Sequence, residues 1–367
     1  MKQWKKYLNE IFIDVLSGMA SGLFATLIIG TIIQQIGSLI PGAAGSMLFM
    51  MGKFAAAVTG AGIGCGAAIR LKADPLVIIS SGTAGMAGAF ASKILAGTVL
   101  IDGAMVLQGP GEPLGAFIAA MVCIYIGRIV SGRTKVDILV TPIVTILVGI
   151  GLAMLVAAPI GKAANWVGTL IMWATEQQPF VMGILVSVIV GIALTLPISS
   201  AAICAALSLT GLAGGAAVAG CCANMVGFAV LSFRENGWGG LVSQGLGTSM
   251  LQMGNIVRNP KIWIPAIVTS AITGPIATCV FKLQMNGAAV NSGMGTCGLC
   301  GPIGVWTGWV APSEAAVANG AVAIQPGAMD WIGLVMVCFV LPAVICWAIG
   351  LLCRRLGWIR EGDLKLD

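Results

Sequence analysis

Apolar runs about 20 residues long alternate with short polar loops along most of the chain. A helix of that length crosses the hydrocarbon core of a bilayer. The pattern predicts ten crossings, over 13–37, 47–69, 76–96, 114–130, 137–158, 179–197, 211–231, 241–257, 262–282 and 330–352. The polar positions between them carry a second signal. With the N-terminus inside, Lys2, Lys5, Lys6, Arg70, Lys72, Arg128, Arg133, Lys135, Arg258, Lys261, Arg354, Arg355, Arg360 and Lys365 all fall on the inner face, which is 14 of 19 basic residues. Lys53, Lys93, Lys162, Arg234 and Lys282 are the exceptions. Such a bias orients a multi-span protein and here implies both termini inside.

Three segments break the pattern. In IGKAANWVGTLIMWATEQQ (160–178), Trp166, Leu170 and Trp173 recur at helical spacing with polar flanks, which suits a helix lying in the outer interface. PISSAAICAALSLT (197–210) opens on a helix breaker and reads as a short broken or re-entrant piece. NSGMGTCGLCGPIGVWTGWV (291–310) is apolar but holds six glycines and a proline. Non-helical backbone at membrane depth is tolerated only inside protein or beside a wet cavity.

The halves echo one another. IIGTII (28–33) parallels IVGIAL (189–194), AAVTG (56–60) parallels AAVAG (216–220), and SGTAGM (81–86) parallels LGTSML (246–251), at offsets of 161, 160 and 165. PIVT (142–145) echoes AIVT (266–269) at an offset of 124. Five spans between equivalent elements would invert the second half, a common transporter plan with the solute held near the midplane. The expected fold is therefore an all-α polytopic membrane protein of about ten transmembrane helices in two inverted repeats. Residues 1–158 form the first repeat, 159–178 an interfacial amphipathic linker, and 179–367 a second repeat with re-entrant pieces near 197–210 and 291–310.

Composition agrees with this reading. The chain of 367 residues is 58% hydrophobic and 9% charged, against roughly a quarter charged in soluble domains. Its 52 glycines suit close helix approach. The net charge of +6 comes from scattered loop residues, and no basic run exceeds two (Lys5-Lys6, Arg354-Arg355), so no nucleic-acid footprint is present. The 11 cysteines sit almost wholly in apolar segments, which argues against a disulfide framework. Cys297-x-x-Cys300 has no second such pair and the chain has no histidine, so no metal site and no cofactor are expected. TGAGIGCGAA (59–68) follows no strand and reads as a helix-packing stretch rather than a nucleotide loop. The basic N-terminal MKQWKKYLNE leads into a retained first span.

Candidate chemistry lies in neutral polar groups. Gln244, Thr248, Gln252 and Asn255 fall at steps of four, four and three, one face of a helix over 241–257. They either bind partner helices or line a wet cavity. Ser249 is their neighbour. Thr195, Ser199 and Ser200 surround Pro197, where a helix start would offer N–H donors to a polyhydroxyl or anionic ligand. Asn224, Asn291 and Thr296 extend the set. Asp102 and Glu112, in the outer loop IDGAMVLQGPGEPLG, are candidates for a solute hydroxyl or cation at the mouth, or ordinary turn residues; Glu314 has the same standing. No carboxylate pair sits mid-span.

TLPISSAAI (195–203), GLGTSMLQMGNIVRNP (245–260), SGMGTCGLCGPIG (292–304) and QGPGEPLGA (108–116) resemble the membrane (IIC-type) component of the bacterial sugar phosphotransferase system, in the divergent branch that includes toxin-regulator-like membrane proteins. The resemblance covers most of the chain. It implies a dimeric, ten-helix, alternating-access fold in the bacterial inner membrane that moves a small polar, sugar-like solute. Standard members of that system present a His and a Glu in the substrate site and work with phosphorylated B and A domains. This chain has no histidine, and no soluble domain follows span ten, so phosphoryl transfer would need separate cytoplasmic partner proteins. The expectation is a transporter without phosphorylation chemistry of its own and without enzymatic activity. The alternative is a membrane sensor or regulator on a transporter-like scaffold.

Overall fold

The computed structural model describes residues 14–101, 104–107, 109 and 111–366. Lys2, Lys5, Lys6 and Asp102 lie outside the described residues. The described chain is nearly all helix, with one short hairpin pairing Leu100–Ile101 with Ala104–Met105. Among the described residues, six helices are long and apolar enough to cross a membrane: Leu16–Leu39, Pro113–Val130, Asp137–Thr175, Gly211–Leu231, Pro260–Val280 and Ala328–Arg355. A seventh candidate is the pair Ala43–Ala57 and Thr59–Arg70, bent by 51°. Pro75–Ala89 and Pro179–Thr195 are shorter apolar helices. The chain forms two compact units, Met1–Ala163 and Ala164–Asp367.

The first unit is built on glycine contacts. Helix Thr59–Arg70 carries glycine at every second position, so two faces of it are bare. A Cβ at Gly22 would strike the Gly62 carbonyl, and one at Gly18 the Gly66 carbonyl, which seats Leu16–Leu39 on one face. On the other face Gly60 and Gly64 lie against Gly85 and Ser81 of Pro75–Ala89. That helix then meets Pro113–Val130 where Gly88 faces Gly115. Without a hydrophobic driving force between helices in lipid, such close backbone approach supplies the packing. The stretch 59–68 is thus helical and committed to neighbours.

Sequence reading placed an element boundary at Pro159, between a span over 137–158 and a separate helix over 160–178. The observed helix runs from Asp137 to Thr175 with Pro142 and Pro159 inside it. A proline removes one backbone donor, a loss that membrane helices absorb with local adjustments.

The second unit wraps around Gly211–Leu231, a helix of small apolar residues with 16 of its 21 residues buried. A helix that is apolar all round belongs in the interior. Around it lie Pro179–Thr195, Pro260–Val280 and Ala328–Arg355. Two ends can be recognised. At the Gly211 end, Gly211 and Met285 exchange backbone hydrogen bonds of 2.9 Å each, and Asn319 reaches Thr210 at 3.2 Å. At the Leu231 end, Arg354 donates to the Leu231 carbonyl at 3.3 Å and to Glu235 at 2.7 Å.

Three excursions interrupt this helical frame. Pro179–Thr195 starts at the Gly211 end, where Thr278 donates to the Pro179 carbonyl at 2.8 Å. It breaks over 196–199, turns into the short helix Ser200–Ala206 and returns to Thr210. Residues 281–310 leave the same end at Met285, run inward through Ala289–Gly293 and Cys297–Leu299, and return as Cys300–Val310. The third excursion corrects the sequence reading. Residues 241–257 do not form one helix. Phe233–Val242 is followed by a π-helical turn at Ser243–Gly247, an extended Thr248 (φ −158°, ψ 142°), a 3-10 turn at Ser249–Gln252 and the short helix Met253–Arg258. The segment leaves the Leu231 end and comes back to it: Asn236 at its start and Asn259 at its finish both bond to residues 358–366. It is a re-entrant hairpin. Arg234, an exception to the charge bias when 241–257 is counted as a crossing, therefore lies at the same end as Arg258, Lys261 and Arg354.

Candidate functional site

Helix approach positions the first group of polar side chains. A Cβ at Gly220 would strike the Ser187 carbonyl, and one at Gly274 the Gly183 carbonyl. Pro179–Thr195, Gly211–Leu231 and Pro260–Val280 are thereby drawn close enough for their hydroxyls and amides to meet. Asn224 is the hub and is fully buried. Its Oδ1 accepts from Trp263 Nε1 at 2.9 Å and from the Thr195 hydroxyl at 3.2 Å. Its Nδ2 donates to the Gly220 carbonyl at 3.1 Å and to Ser270 Oγ at 3.2 Å. Ser187 donates to the Ser270 carbonyl at 2.7 Å, tying the outer pair of helices. Buried polar groups without partners are costly, and this network leaves few.

The excursions converge on that hub. Thr195, the last residue before the 196–199 break, lies with its hydroxyl 2.7 Å from Ser249 Oγ at the tip of the re-entrant hairpin. One break enters from the Gly211 end and the hairpin from the Leu231 end, so Thr195 and Ser249 mark where they meet. The third excursion joins at Ser200, which donates to the Gly293 carbonyl at 2.8 Å, and through Cys297–Leu299, which packs on the π-helical turn Ser243–Gly247. Positive φ at Gly298 (+51°) and Leu299 (+59°) turns the chain there. Thr296 is fully buried and meets Met225 Sδ at 3.7 Å. Asn291 is half-buried, and its side chain makes no hydrogen bond to the described residues.

Several expected ligand donors have other duties. Ser199 accepts from the Ala202 amide at 3.3 Å, so the helix start after Pro197 already has a capping partner. Thr248 caps Met250 N at 3.2 Å. Gln244, Gln252 and Asn255 are brought together, but by a hairpin rather than by one helix face. Asn255 donates to Gln252 Oε1 at 2.8 Å, and Gln252 donates to Gln244 Oε1 at 2.9 Å. Gln244 in turn donates to Ser232 Oγ at 2.8 Å and the Gly240 carbonyl at 3.0 Å. The second N–H of Gln252 goes to the Leu364 carbonyl at 3.0 Å and that of Asn255 to the Lys365 carbonyl at 2.9 Å. Both donors of all three amides are therefore engaged. Glu112 belongs to the first unit, where its backbone amide donates to the Ala89 carbonyl at 2.7 Å ahead of helix Pro113–Val130.

Sequence reasoning passed over Ser187, Trp263 and Ser270. Each is a lone polar group in an apolar run, and hydroxyls in membrane helices are often satisfied by their own backbone, so nothing in the pattern set these apart. It also passed over Asn236 and Asn259, which read as loop residues. Among the described residues no set of three His, Cys, Asp or Glu side chains could hold a metal ion, and none of the 11 cysteines is in a disulfide. The site is thus assembled from neutral hydroxyls, amides and unwound backbone.

No curated protein matches the chain. The model of the family described as "Phosphotransferase system, EIIC" matches residues 13–366, nearly the whole length. With its apolar helices, that match identifies a multi-pass membrane transport component: the chain belongs to the EIIC family of the phosphotransferase system.

Proposed function

We propose that the protein moves a small polar, sugar-like solute across the bacterial inner membrane by alternating access, with both ends of the chain on the cytoplasmic face. The observation that carries this reading is the meeting of two broken segments from opposite ends at Thr195 and Ser249 (2.7 Å), beside the unwound backbone of 289–299. Unwound backbone at membrane depth is where transporters hold solutes. Neutral hydroxyls and amides (Thr195, Asn224, Ser249, Asn291, Thr296) match a polyhydroxyl solute, whose many O–H groups both donate and accept. Ser199, Ser200 and Thr248 shape the backbone around them, and Gln244, Gln252 and Asn255 line the approach from the Leu231 end. Glu112 is a candidate contact for a solute hydroxyl or cation, and the working form is a homodimer. The inverted-repeat plan of 1–158 and 179–367 stays part of this reading; of its paired motifs, 29–33 and 189–194 both lie in helix, whereas SGTAGM lies in regular helix and LGTSML in the hairpin tip.

A chain of 367 residues without histidine has no phosphohistidine of its own. We therefore read the movement as independent of phosphorylation by this chain, with separate cytoplasmic phosphotransfer proteins as the route where phosphorylation occurs. The test is flux of labelled sugars and polyols into proteoliposomes, with and without such proteins. Asn291→Ala is expected to weaken solute affinity by about tenfold, which is the value of one lost hydrogen bond at the upper end, with an unchanged thermal midpoint. Absence of both binding and flux across the panel would sink the reading and leave the sensor alternative.

A further inference from the structure

The chain continues past the last crossing helix as a short segment without regular secondary structure, Leu356 to Leu366. It is nevertheless well anchored. Leu364 is fully buried and Ile359 is 2% exposed. The entering arm of the hairpin holds it through Asn236, whose Nδ2 donates to the Leu364 carbonyl and whose Oδ1 accepts from Leu366 N, both at 2.8 Å. The returning arm holds it through Gln252 and Asn255, as described, and through Asn259, which donates to the Trp358 carbonyl at 2.9 Å and to Asp363 Oδ2 at 2.8 Å. The Lys261 ammonium lies 5.8 Å from the Trp358 ring centroid. At its root, Arg354 pairs with Glu235, the neighbour of Asn236, at 2.7 Å.

We propose that residues 358–366 are a latch. Seated between the two arms, the segment fixes the hairpin and closes the polar approach from the Leu231 end; released, it frees the donors of Gln252 and Asn255 and lets the hairpin tip move away from Thr195. This rests on the transport reading only for its consequence, not for the latch itself. The physical case is a mismatch of stability. The hairpin has no continuous helix, so its own backbone does not hold it rigid. Its tip is held by Thr195 and the neighbouring helices, and its two arms are tied to each other by a short irregular stretch, fixed by two buried apolar side chains and hydrogen bonds mostly to its carbonyls. Segments of this kind open locally at a small fraction of the global free energy. Asn236, Asn259 and Leu364 are positioning residues in this scheme.

The experiment is hydrogen exchange on the full chain in lipid nanodiscs, paired with flux in proteoliposomes. Leu364→Asp places a charge at a fully buried position and ejects the segment. Exchange over 243–256 is expected to rise about tenfold or more, with 211–231 unchanged, and flux is expected to increase. If the segment is released while 243–256 keeps its original exchange, the latch is wrong. Should Leu364→Asp fail to fold, the double variant Asn236→Ala/Asn259→Ala replaces it with the same readouts. A segment that stays docked in that variant also overturns the proposal. Faster hairpin exchange with no flux of any sugar keeps the latch and removes the transport reading; unchanged exchange with intact flux does the reverse.

Discussion

Two polar networks in the second unit are closed in different ways. The one around Asn224 is sealed by three helices brought together at Gly220 and Gly274, with backbone contacts that leave no room for a side chain. The one along Gln244, Gln252 and Asn255 is sealed by the segment that carries Leu364 and Lys365. Their chemistry is alike, since both are neutral amides and hydroxyls with their donors engaged. The difference lies in what must move to open them. Opening the first means separating packed helices. Opening the second means undocking a short irregular stretch. In the transport and latch readings proposed above, the first network holds the solute position and the second governs access to it.

The comparison can be broken most severely at Gly220. Gly220→Val drives a branched side chain into the Ser187 carbonyl, and overpacking of this kind costs about 3 kcal/mol or more. Loss of monodisperse protein, or the largest fall in thermal midpoint among the variants described, is the expected outcome. Next comes Asn224→Leu, which strips partners from Trp263, Thr195 and Ser270. With membrane hydrogen bonds averaging roughly 0.6 kcal/mol and buried unpaired groups adding to that, the loss is about 2 kcal/mol. Trp263 emission should shift because its indole N–H loses its acceptor, while exchange of residues 358–366 stays as in the parent. Gln252→Leu should do the opposite. It costs about 1–2 kcal/mol, accelerates tryptic cleavage at Arg360 and Lys365, and leaves Trp263 emission unchanged. If Gln252→Leu moved the Trp263 signal as much as Asn224→Leu does, the two networks would be one.

Much of this fold was legible in the chain because membrane helices announce themselves by length and apolarity. Of the ten expected crossings, six lie on helices long and apolar enough to cross, 137–158 as part of a longer one; 47–69 falls on a bent pair, and 76–96 and 179–197 fall on shorter apolar helices. The tenth, 241–257, failed for a specific reason. Its Gln-Thr-Gln-Asn spacing suits a helix face, and the polar side chains do gather, but the π-helical turn at Ser243–Gly247 and the extended Thr248 fold the run back on itself. Hydropathy reports that a segment is buried in the membrane and is silent on whether it crosses. The breaks at Pro197 and 291–310 were visible because proline and clustered glycine interrupt helices by themselves. Ser199 illustrates the limit there: the sequence marks the helix start, and only the folded chain has the Ser199 hydroxyl already capping Ala202.

By itself the sequence determined the class of molecule, the apolar elements, the main interruptions and the absence of a histidine, because these depend on local composition and on the bilayer as solvent. Tertiary structure decided the partners. That Asn224 is a hub, that Thr195 meets Ser249, and that Gln252 and Asn255 hold residues 364 and 365 follow from contacts between positions far apart in the chain. An amide reads the same in the sequence whether its donors face a solute, a neighbouring helix or a distant segment such as 358–366, and only packing selects among them.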